Sequence, residues 1–419
     1  MEYSKIAKRL RGQMAQFSGE VSVGLGKVGK RFVREMVYGI QASESVVLTE
    51  IARTLEESIS IKKTEGRLSN NLRREGIGAV IQNNILRQGS TLIKEDTLII
   101  VDPSDLRKKY AEKMEYLGRV RDGSEKELAN GYWTLHVVAT ELDSDDLVPL
   151  YQSLYSASAP TFVSENDEIL RAVDQVSVHV KRKGLWIMDR GGDRIKLFRP
   201  LLDRRLRFLI RLRGDRNLEF NRQRLLASEI AAGCPCPYAE TIVKNDDGKE
   251  KAYHLEFGFR KVRLPKRKEQ LYLLVVHGFG REPLMLLTNA ALRRSRKVLW
   301  RMVKAYLRRW SVEETIRFVK QAYDLENIRV LRYQGLQNMM PLLLAVMYFA
   351  MVVLDTKQKL KVMAGYVLKA AKRVFGIPDF KYYALADGMR SIFARHPGRP
   401  QRLYKPPDGQ LSLFKWDSS

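Results

Sequence analysis

Residues 306–320 read YLRRWSVEETIRFVK, and this segment predicts a helix with an unusual face. Four side chains of different chemistry share that face: Tyr306, Arg309, Glu313 and Lys320. At about 100° per residue, they fall within an arc of roughly 60°. A carboxylate can hold a divalent metal while Arg and Lys contact phosphates beside it, so the face suits a phosphodiester. The alternative is a solvated face stabilised by ion pairs, because Arg309 and Glu313 have the spacing of such a pair.

The order of residue types in this segment is Y-x-x-R-x-x-x-E-x-x-x-x-x-x-K, with Trp310 after the arginine. It resembles the signature of bacterial insertion-sequence transposases of the DDE type. The resemblance implies an α/β fold with an RNase H-like mixed sheet and flanking helices. It also implies a β-rich insertion before the last catalytic helix and a helical N-terminal domain. Such an enzyme needs two further aspartates upstream, each at the end of a strand.

Both aspartates have candidates. In TLIIVDPSDL, residues 98–101 are apolar and predict a buried strand that stops at Asp102 and Pro103, since proline cannot continue a central strand. In GLWIMDRGGD, residues 185–188 predict a second strand that runs into Asp189. The D-R-G-x-D string there also matches the family. The alternative for each aspartate is an ordinary turn or helix-capping role.

The resemblance assigns the metal ligands. Asp102 bridges two ions, Mg²⁺ or Mn²⁺, and Asp189 and Glu313 complete the two coordination shells. Two such ions can activate the attacking oxygen of a phosphodiester and stabilise the leaving one. Three neighbours compete for these positions and stay open as alternatives: Asp105, Asp193 and Glu314.

The same resemblance implies phosphate contacts by Arg309, Lys320 and Arg190, and a contact between Tyr306 and the DNA backbone or a sugar. The expected activity is metal-dependent strand cleavage at element ends, followed by transfer of the 3′-hydroxyl into target DNA. Expected partners are double-stranded terminal inverted repeats and target DNA, bound by a homodimer. A metal-dependent RNase H-like nuclease and a non-catalytic DNA-binding protein derived from a transposase are the alternatives.

Composition agrees with a polyanionic partner. The 419 residues carry 74 Lys plus Arg against 48 Asp plus Glu, a net charge of +26. Two cysteines, in CPCP at 234–237, predict a rigid turn in a cytoplasmic protein rather than a disulfide framework or a zinc site. The apolar stretch 339–354 is too short to span a membrane, so we expect a buried helix packed on the sheet and no membrane partner.

The chain divides by pattern into three regions. Residues 1–95 predict a helical DNA-binding domain, with a turn at Gly76 and Gly78, and 96–355 predict the catalytic domain, with its insertion at about 205–290. Residues 356–419 predict a helical C-terminal region and a flexible tail. Relatives can carry a tryptophan in the insertion that stacks a flipped base. Here PLMLLTN at 283–289 has no aromatic residue, and Trp300 and Trp310 are expected to be core residues.

Overall fold

The computed structural model describes residues 3–108, 110–121, 127–246, 249–354, 365–370 and 381–400. Those residues form two compact units. The helical unit takes in the described residues of Met1–Ile85, Tyr110–Glu115 and Phe318–Ser419. The sheet unit takes in those of Leu86–Lys109 and Tyr116–Arg317. The domain boundaries predicted at 95 and 355 stay predictions.

The amino-terminal part of the chain is helical, as predicted. It contains α1 (Tyr3–Val21), α2 (Lys27–Ser43), α3 (Leu48–Thr54), α4 (Ile61–Leu72), α5 (Ile77–Gly89) and a 3₁₀ turn (Ser90–Leu92). The predicted turn is at Gly76, whose φ is +79°, a conformation that favours glycine. Buried positions Phe32, Val33, Met36 and Val37 recur at helical spacing, which is why α2 packs into the core of this unit.

The sheet region follows in mixed order. Its elements are β1 (Leu98–Arg107), β2 (Gly118–Arg121), β3 (Leu128–Thr140), β4 (Leu147–Tyr155), α6 (Glu165–His179), β5 (Leu185–Met188), a 3₁₀ turn (Arg190–Gly192), α7 (Ile195–Asp203), β6 (Arg207–Arg211), β7 (Asn217–Phe220), β8 (Gln223–Leu226), α8 (Ala227–Ala232), β9 (Tyr238–Asp246), β10 (Lys249–Val262), β11 (Leu271–His277) and β12 (Leu284–Thr288).

The last described elements are helical. They are α9 (Arg296–Leu307), α10 (Trp310–Ala322), a 3₁₀ turn (Leu325–Asn327), α11 (Tyr333–Tyr348), a π-helical turn (Phe349–Val353), α12 (365–370) and α13 (Tyr382–Arg395). The helical C-terminal region predicted within residues 356–419 lies partly outside the described residues. The predicted tail does so from residue 401 onward.

The strand order confirms the predicted RNase H-like sheet. Strands β3 and β1 pair antiparallel, and β1, β5 and β6 pair parallel, with β4 on the outer side of β3. Helices α6, α7 and α8 cover one face, where Val173, Leu201 and Ile230 join a single core with Trp186. The other face carries α9, whose Trp300 stacks on Phe257 at 5.7 Å between ring centroids.

The predicted β-rich insertion extends this sheet. Strand β12 pairs antiparallel with β6, and β11, β10 and β9 follow in that order. The pairing covers the edge of β6, which would otherwise present unpaired backbone groups. Residues 247 and 248 lie outside the described residues, and β9 and β10 pair antiparallel on either side of them.

The predicted end of the first strand was wrong. Strand β1 continues through Pro103 to Arg107, and Pro103 lies opposite Leu135 of β3. On the β5 side, however, the ladder stops at Ile100. From Val101 onward, β1 is therefore an edge on that side, where proline needs no ladder donor.

One helical segment, Tyr333–Val353, is long and apolar enough to cross a membrane by length and composition, with a mean hydropathy of 1.8. Of that window, 89% is buried inside the protein. The prediction of a buried helix is confirmed, but within its own unit this helix packs against α2 and α4, so the predicted packing on the sheet was wrong. Buried Asn338 fixes this contact, because its amide donates to the carbonyls of Leu72 and Arg74 at 2.7 and 2.8 Å.

Gly258 on β10 provides a test of this packing. The CPCP segment connects α8 and β9, and a Cβ at Gly258 would lie 1.9 Å from the Pro235 carbonyl oxygen. Gly258→Ala should therefore lower the free energy of unfolding by about 1–3 kcal/mol, as overpacking usually does. Gly280→Ala is the control, because no atom lies within 4 Å of a Cβ there. Urea denaturation measures both, and equal stability of the two variants would contradict the close packing.

Candidate active site

The register of strands β1 and β5 places Asp102 and Asp189 beside each other in the sheet. Strands β1 and β5 are parallel neighbours, and their last paired rung joins Ile100 to Ile187. Asp102 follows Ile100 by two residues, and Asp189 follows Ile187 by two residues, so both aspartates belong to the same face of the sheet. Adjacent strands are about 4.8 Å apart. The two carboxyl groups therefore start from neighbouring backbone positions at the point where β1 and β5 part.

A short turn fixes Asp189. The residue caps the 3₁₀ turn Arg190–Gly192, and its Oδ1 accepts a hydrogen bond from the Gly191 N–H at 2.7 Å. A Cβ at Gly191 would lie 2.8 Å from the same oxygen, so the close approach depends on glycine. Arg190, the predicted phosphate contact, is exposed in this turn.

Arg309 connects Asp102 to Glu313. The guanidinium is buried, with 7% of the residue exposed. Its Nη1 lies 3.6 Å from Oδ2 of Asp102, and its Nη2 donates to Oε1 of Glu313 at 2.7 Å. Burial alone would lower the pKa of Arg309, but the charges of Asp102, Tyr306 and Glu313 raise it overall. The ion pair expected for a solvated helix face is thus present, but at a buried arginine that also contacts Asp102.

Asp102 has a strongly shifted pKa. The pKa of its carboxyl is raised overall to about 7. Burial is the largest cause, the charge of Arg309 lowers the pKa, and the charges of Asp189 and Glu313 raise it. One cation at 3.6 Å does not compensate for the loss of water and two like charges. Asp189 and Glu313 are therefore both close enough to Asp102 to act on its carboxyl electrostatically.

The three carboxylates are not arranged as a finished coordination shell. Among the residues that the structure describes, no group of three or more His, Cys, Asp or Glu side chains is placed to hold a metal ion. Gly191 engages one oxygen of Asp189, and Arg309 holds Glu313, whose side chain is 48% exposed. The donor chemistry nevertheless suits a hard divalent cation, because such a cation would relieve the mutual repulsion of three carboxylates.

The competing acidic residues have other positions. Asp105 follows Asp102 by three residues on an unbulged strand, so it points to the opposite face. Asp193 is buried and accepts from Nε of Arg216 at 2.6 Å. Glu314 pairs with Arg317 at 2.7 Å. These contacts favour Asp102, Asp189 and Glu313, whose catalytic roles stay predictions.

The single helix expected for residues 306–320 is interrupted. Helix α9 ends at Leu307 and α10 begins at Trp310. The backbone N–H groups of Arg309 and Val312 bond to carbonyls three residues back, at 3.0 Å each, which tightens the turn. Arg308 meanwhile bonds to the Ser144 carbonyl and pairs with Asp145 at 2.9 Å. Tertiary contacts of Arg308 and Arg309 therefore override the regular helical pattern.

Tyr306 lies beneath this turn. It is 2% exposed, and its ring contacts the Arg309 guanidinium at 5.8 Å. Burial raises the pKa of the phenol, and the charges of Arg309 and Arg211 partly offset that effect. The hydroxyl has no partner of normal hydrogen-bond geometry among the described residues. Its predicted contact with DNA stays a prediction, and the structure gives it a packing role under Arg309.

Lys320 lies on α10 but belongs to the helical unit. Its Nζ is 3.8 Å from Oε1 of Glu326, and its side chain is 20% exposed. Its predicted phosphate contact stays a prediction.

Sequence reasoning missed two residues near the turn. The charge of Arg211 on β6 lowers the pKa of Tyr306. The alternation of β6 places Arg211 on the same sheet face as Leu209. Phe279 lies in the loop before β12, and its ring meets Trp310 at 6.3 Å and nearly at right angles. The strand alternation of RFLIR signals Arg211, but no sequence pattern connects Phe279 to Trp310. Trp300 and Trp310 are partly buried.

An RNase H-like sheet with acidic residues at the point where two central parallel strands part, and a third on a later helix, is the arrangement expected of a DDE enzyme. A family model described as the transposase DDE domain matches residues 93–349. The chain belongs to this family and is a DNA transposase.

Comparison with curated proteins found no match. Among solved structures, the cryo-EM structure of a piggyBac transposase synaptic complex with hairpin DNA is similar. The alignment covers 93% of this chain and 84% of the piggyBac transposase chain, with 12% sequence identity and a TM-score of 0.43.

The raised pKa of Asp102 predicts how stability depends on pH. The pKa of Asp102 is about 4 in the unfolded chain and about 7 in the folded protein. Between these pH values the folded protein holds a proton that the unfolded chain has lost, so the free energy of unfolding falls as pH rises. In metal-free protein, Asp102→Asn should raise the free energy of unfolding by roughly 2–4 kcal/mol at pH 8. The gain should vanish near pH 4. Urea denaturation of parent and variant across this range measures it, and a gain independent of pH would contradict the shifted pKa.

Proposed function

We propose that the protein cleaves a DNA strand at each end of its element and joins the freed 3′-hydroxyls to target DNA. One arrangement carries this proposal. Asp102 and Asp189 each lie two residues beyond the paired residues Ile100 and Ile187, and the charge of Glu313 raises the pKa of the Asp102 carboxyl. Family membership supports a transposase, and the carboxylate site supports a metal-dependent reaction.

The residues that would hold Mg²⁺ or Mn²⁺ are Asp102, Asp189 and Glu313. Two such ions, when bound, supply activation of the attacking oxygen and stabilisation of the leaving oxygen. The chain's own contribution is to keep these oxygen donors near the point where β1 and β5 part. Half-exposed Glu313 is the donor that can turn away from Arg309.

Cations around the site would hold the DNA. Arg309 supplies a buried positive charge beside Asp102, and exposed Arg190 follows Asp189 directly. Lys320 follows Glu313 by seven residues on α10, about 10 Å along the axis. With a net charge of +26, the chain suits long duplex partners, the terminal inverted repeats and the target. We further propose that a homodimer binds the two ends, in a bacterial cytoplasm.

Asparagine substitutions separate catalysis from binding. Asp102→Asn and Asp189→Asn should each lower strand cleavage by at least 10³-fold, because removing a carboxylate ligand removes metal-dependent chemistry. Binding of duplex DNA should change less than threefold, since phosphate contacts come from other residues. The matched control is Asp105→Asn, on the other face of β1. Gel assays of cleavage and fluorescence anisotropy of binding measure both, and a parallel loss of binding and cleavage would assign the carboxylates a structural role.

Lys320 separates a transposase from a nuclease. If it positions a DNA end, Lys320→Ala should reduce joining of a terminal-repeat end to a supercoiled plasmid about tenfold, while nicking of non-cognate DNA changes little. Glu326→Gln is the control, because it removes the ion-pair partner but keeps the cation. Joined products are counted after incubation with Mg²⁺. A parent protein that only degrades DNA, with no joining and no dependence on the repeat, would favour the nuclease.

A further inference from the structure

The insertion carries a group of exposed cations away from the carboxylate site. We call it the basic face, and it consists of Arg222, Arg224, Lys261, Arg263 and Lys266. In the part of the chain that the structure describes, none of the five has a carboxylate partner in an ion pair. On α9, by contrast, Arg301 pairs with Asp96 at 3.0 Å.

Strand register places these cations together. Arg224 of β8 lies opposite Glu219 of β7, and Glu219 lies opposite Arg263 at the end of β10. The last pair exchanges two backbone hydrogen bonds, of 2.8 and 3.0 Å. Directly opposite residues share a face, and Lys261 shares it because it precedes Arg263 by two residues. The face therefore spans three neighbouring strands.

Little negative charge neutralises this face. Glu219 lies in the middle, but its Oε1 already accepts from the Lys266 N–H at 3.3 Å. Arg267, the next residue, is different, because it pairs with Asp203 and Glu269 at 2.7 and 2.6 Å. The turn between β7 and β8 has positive φ at Asn221 and Arg222, of 50° and 65°, and exposes Arg222 at its tip.

The basic face lies on the same side of the sheet as Asp102. A row of directly opposite residues runs across the sheet from the basic face toward Asp102. In order, it consists of Lys261, Tyr272, Thr288, Leu209, Ile187 and Ile100. Asp102 follows Ile100 by two residues and so shares this side. The intervening residues Val262 and Leu264 point to the opposite side, into the core. Five strand spacings amount to about 24 Å, the length of roughly seven base pairs of B-DNA.

We infer that the basic face binds the phosphate backbone of duplex DNA whose scissile bond lies at the carboxylate site. This inference rests on the proposed function. Its cations span two strand spacings, about 10 Å, comparable to the width of a major groove of about 12 Å, so they can contact phosphates on both sides of one groove. Contacts by Lys and Arg to phosphates carry no sequence information, and they position the duplex.

The test compares two matched double variants. Lys261→Gln with Arg263→Gln removes two charges from the basic face. Lys196→Gln with Arg199→Gln removes two exposed charges from α7, on the opposite side of the sheet. The probe is a mixed-sequence duplex of about 40 base pairs, roughly four helical turns. Binding is followed by fluorescence anisotropy at several salt concentrations, and thermal melting checks that both variants fold.

The basic-face variant should bind at least tenfold more weakly at low salt. The slope of log affinity against log salt concentration should fall by about 1.8 in magnitude, because each phosphate contact contributes about 0.9. The α7 variant should match the parent. Equal slopes for both variants would overturn the inference and leave the proposed function intact.

Two further outcomes also decide. A loss confined to single-stranded DNA or RNA of the same length would overturn the assignment to duplex. A parent that binds no duplex would overturn both the inference and the proposed function. By contrast, a short duplex that ends within about seven base pairs of the cut should not distinguish variant from parent, since it cannot reach the basic face.

Discussion

The contact of Arg309 with Asp102 is the interaction on which the site depends. Asp102 lies where the parallel strands β1 and β5 part, and its charge has lost most of its water there and meets the charges of Asp189 and Glu313. A buried carboxylate in such a position is costly unless a cation is near. Arg309 supplies that cation at 3.6 Å and holds Glu313 at 2.7 Å with its other nitrogen. Arg309 therefore connects two of the three predicted carboxylates through its two terminal nitrogens.

The same interaction explains the local backbone. To reach Asp102, Arg309 leaves the helical path, and the chain forms a tightened turn between α9 and α10. The loop between β3 and β4 holds the preceding turn of α9, through Asp143 with Lys304 and Asp145 with Arg308. Tyr306 fills the space under the guanidinium. The segment 306–320 therefore joins the sheet at its acidic centre through charge pairs rather than through apolar packing alone.

The fold was largely predictable, because apolar runs before Asp102 and Asp189 mark buried strands and the spacing of the remaining motifs fixes their order. Pairing partners were less predictable. Pro103 continues β1 only because the β5 ladder stops at Ile100, which depends on the length of another strand. The break after Leu307 also depends on distant acidic residues, which helical periodicity does not contain. At the site, sequence reasoning could name the carboxylates but not the shifted pKa of Asp102, which depends on burial and on neighbours far away in the chain.

Proton release on metal binding shows whether Asp102 belongs to a shared metal site. Titration calorimetry with Mn²⁺ at pH 6.5, in buffers of different ionisation enthalpy, counts the protons that each binding event displaces, since a carboxyl must ionise to become a ligand. We expect release of more than half a proton per protein at pH 6.5, falling toward zero at pH 8.5, because burial raises the pKa of Asp102 to about 7. Asp105→Asn should release as many protons as the parent. Binding without proton release at pH 6.5, or binding that survives Asp189→Asn unchanged, would contradict a shared site at Asp102.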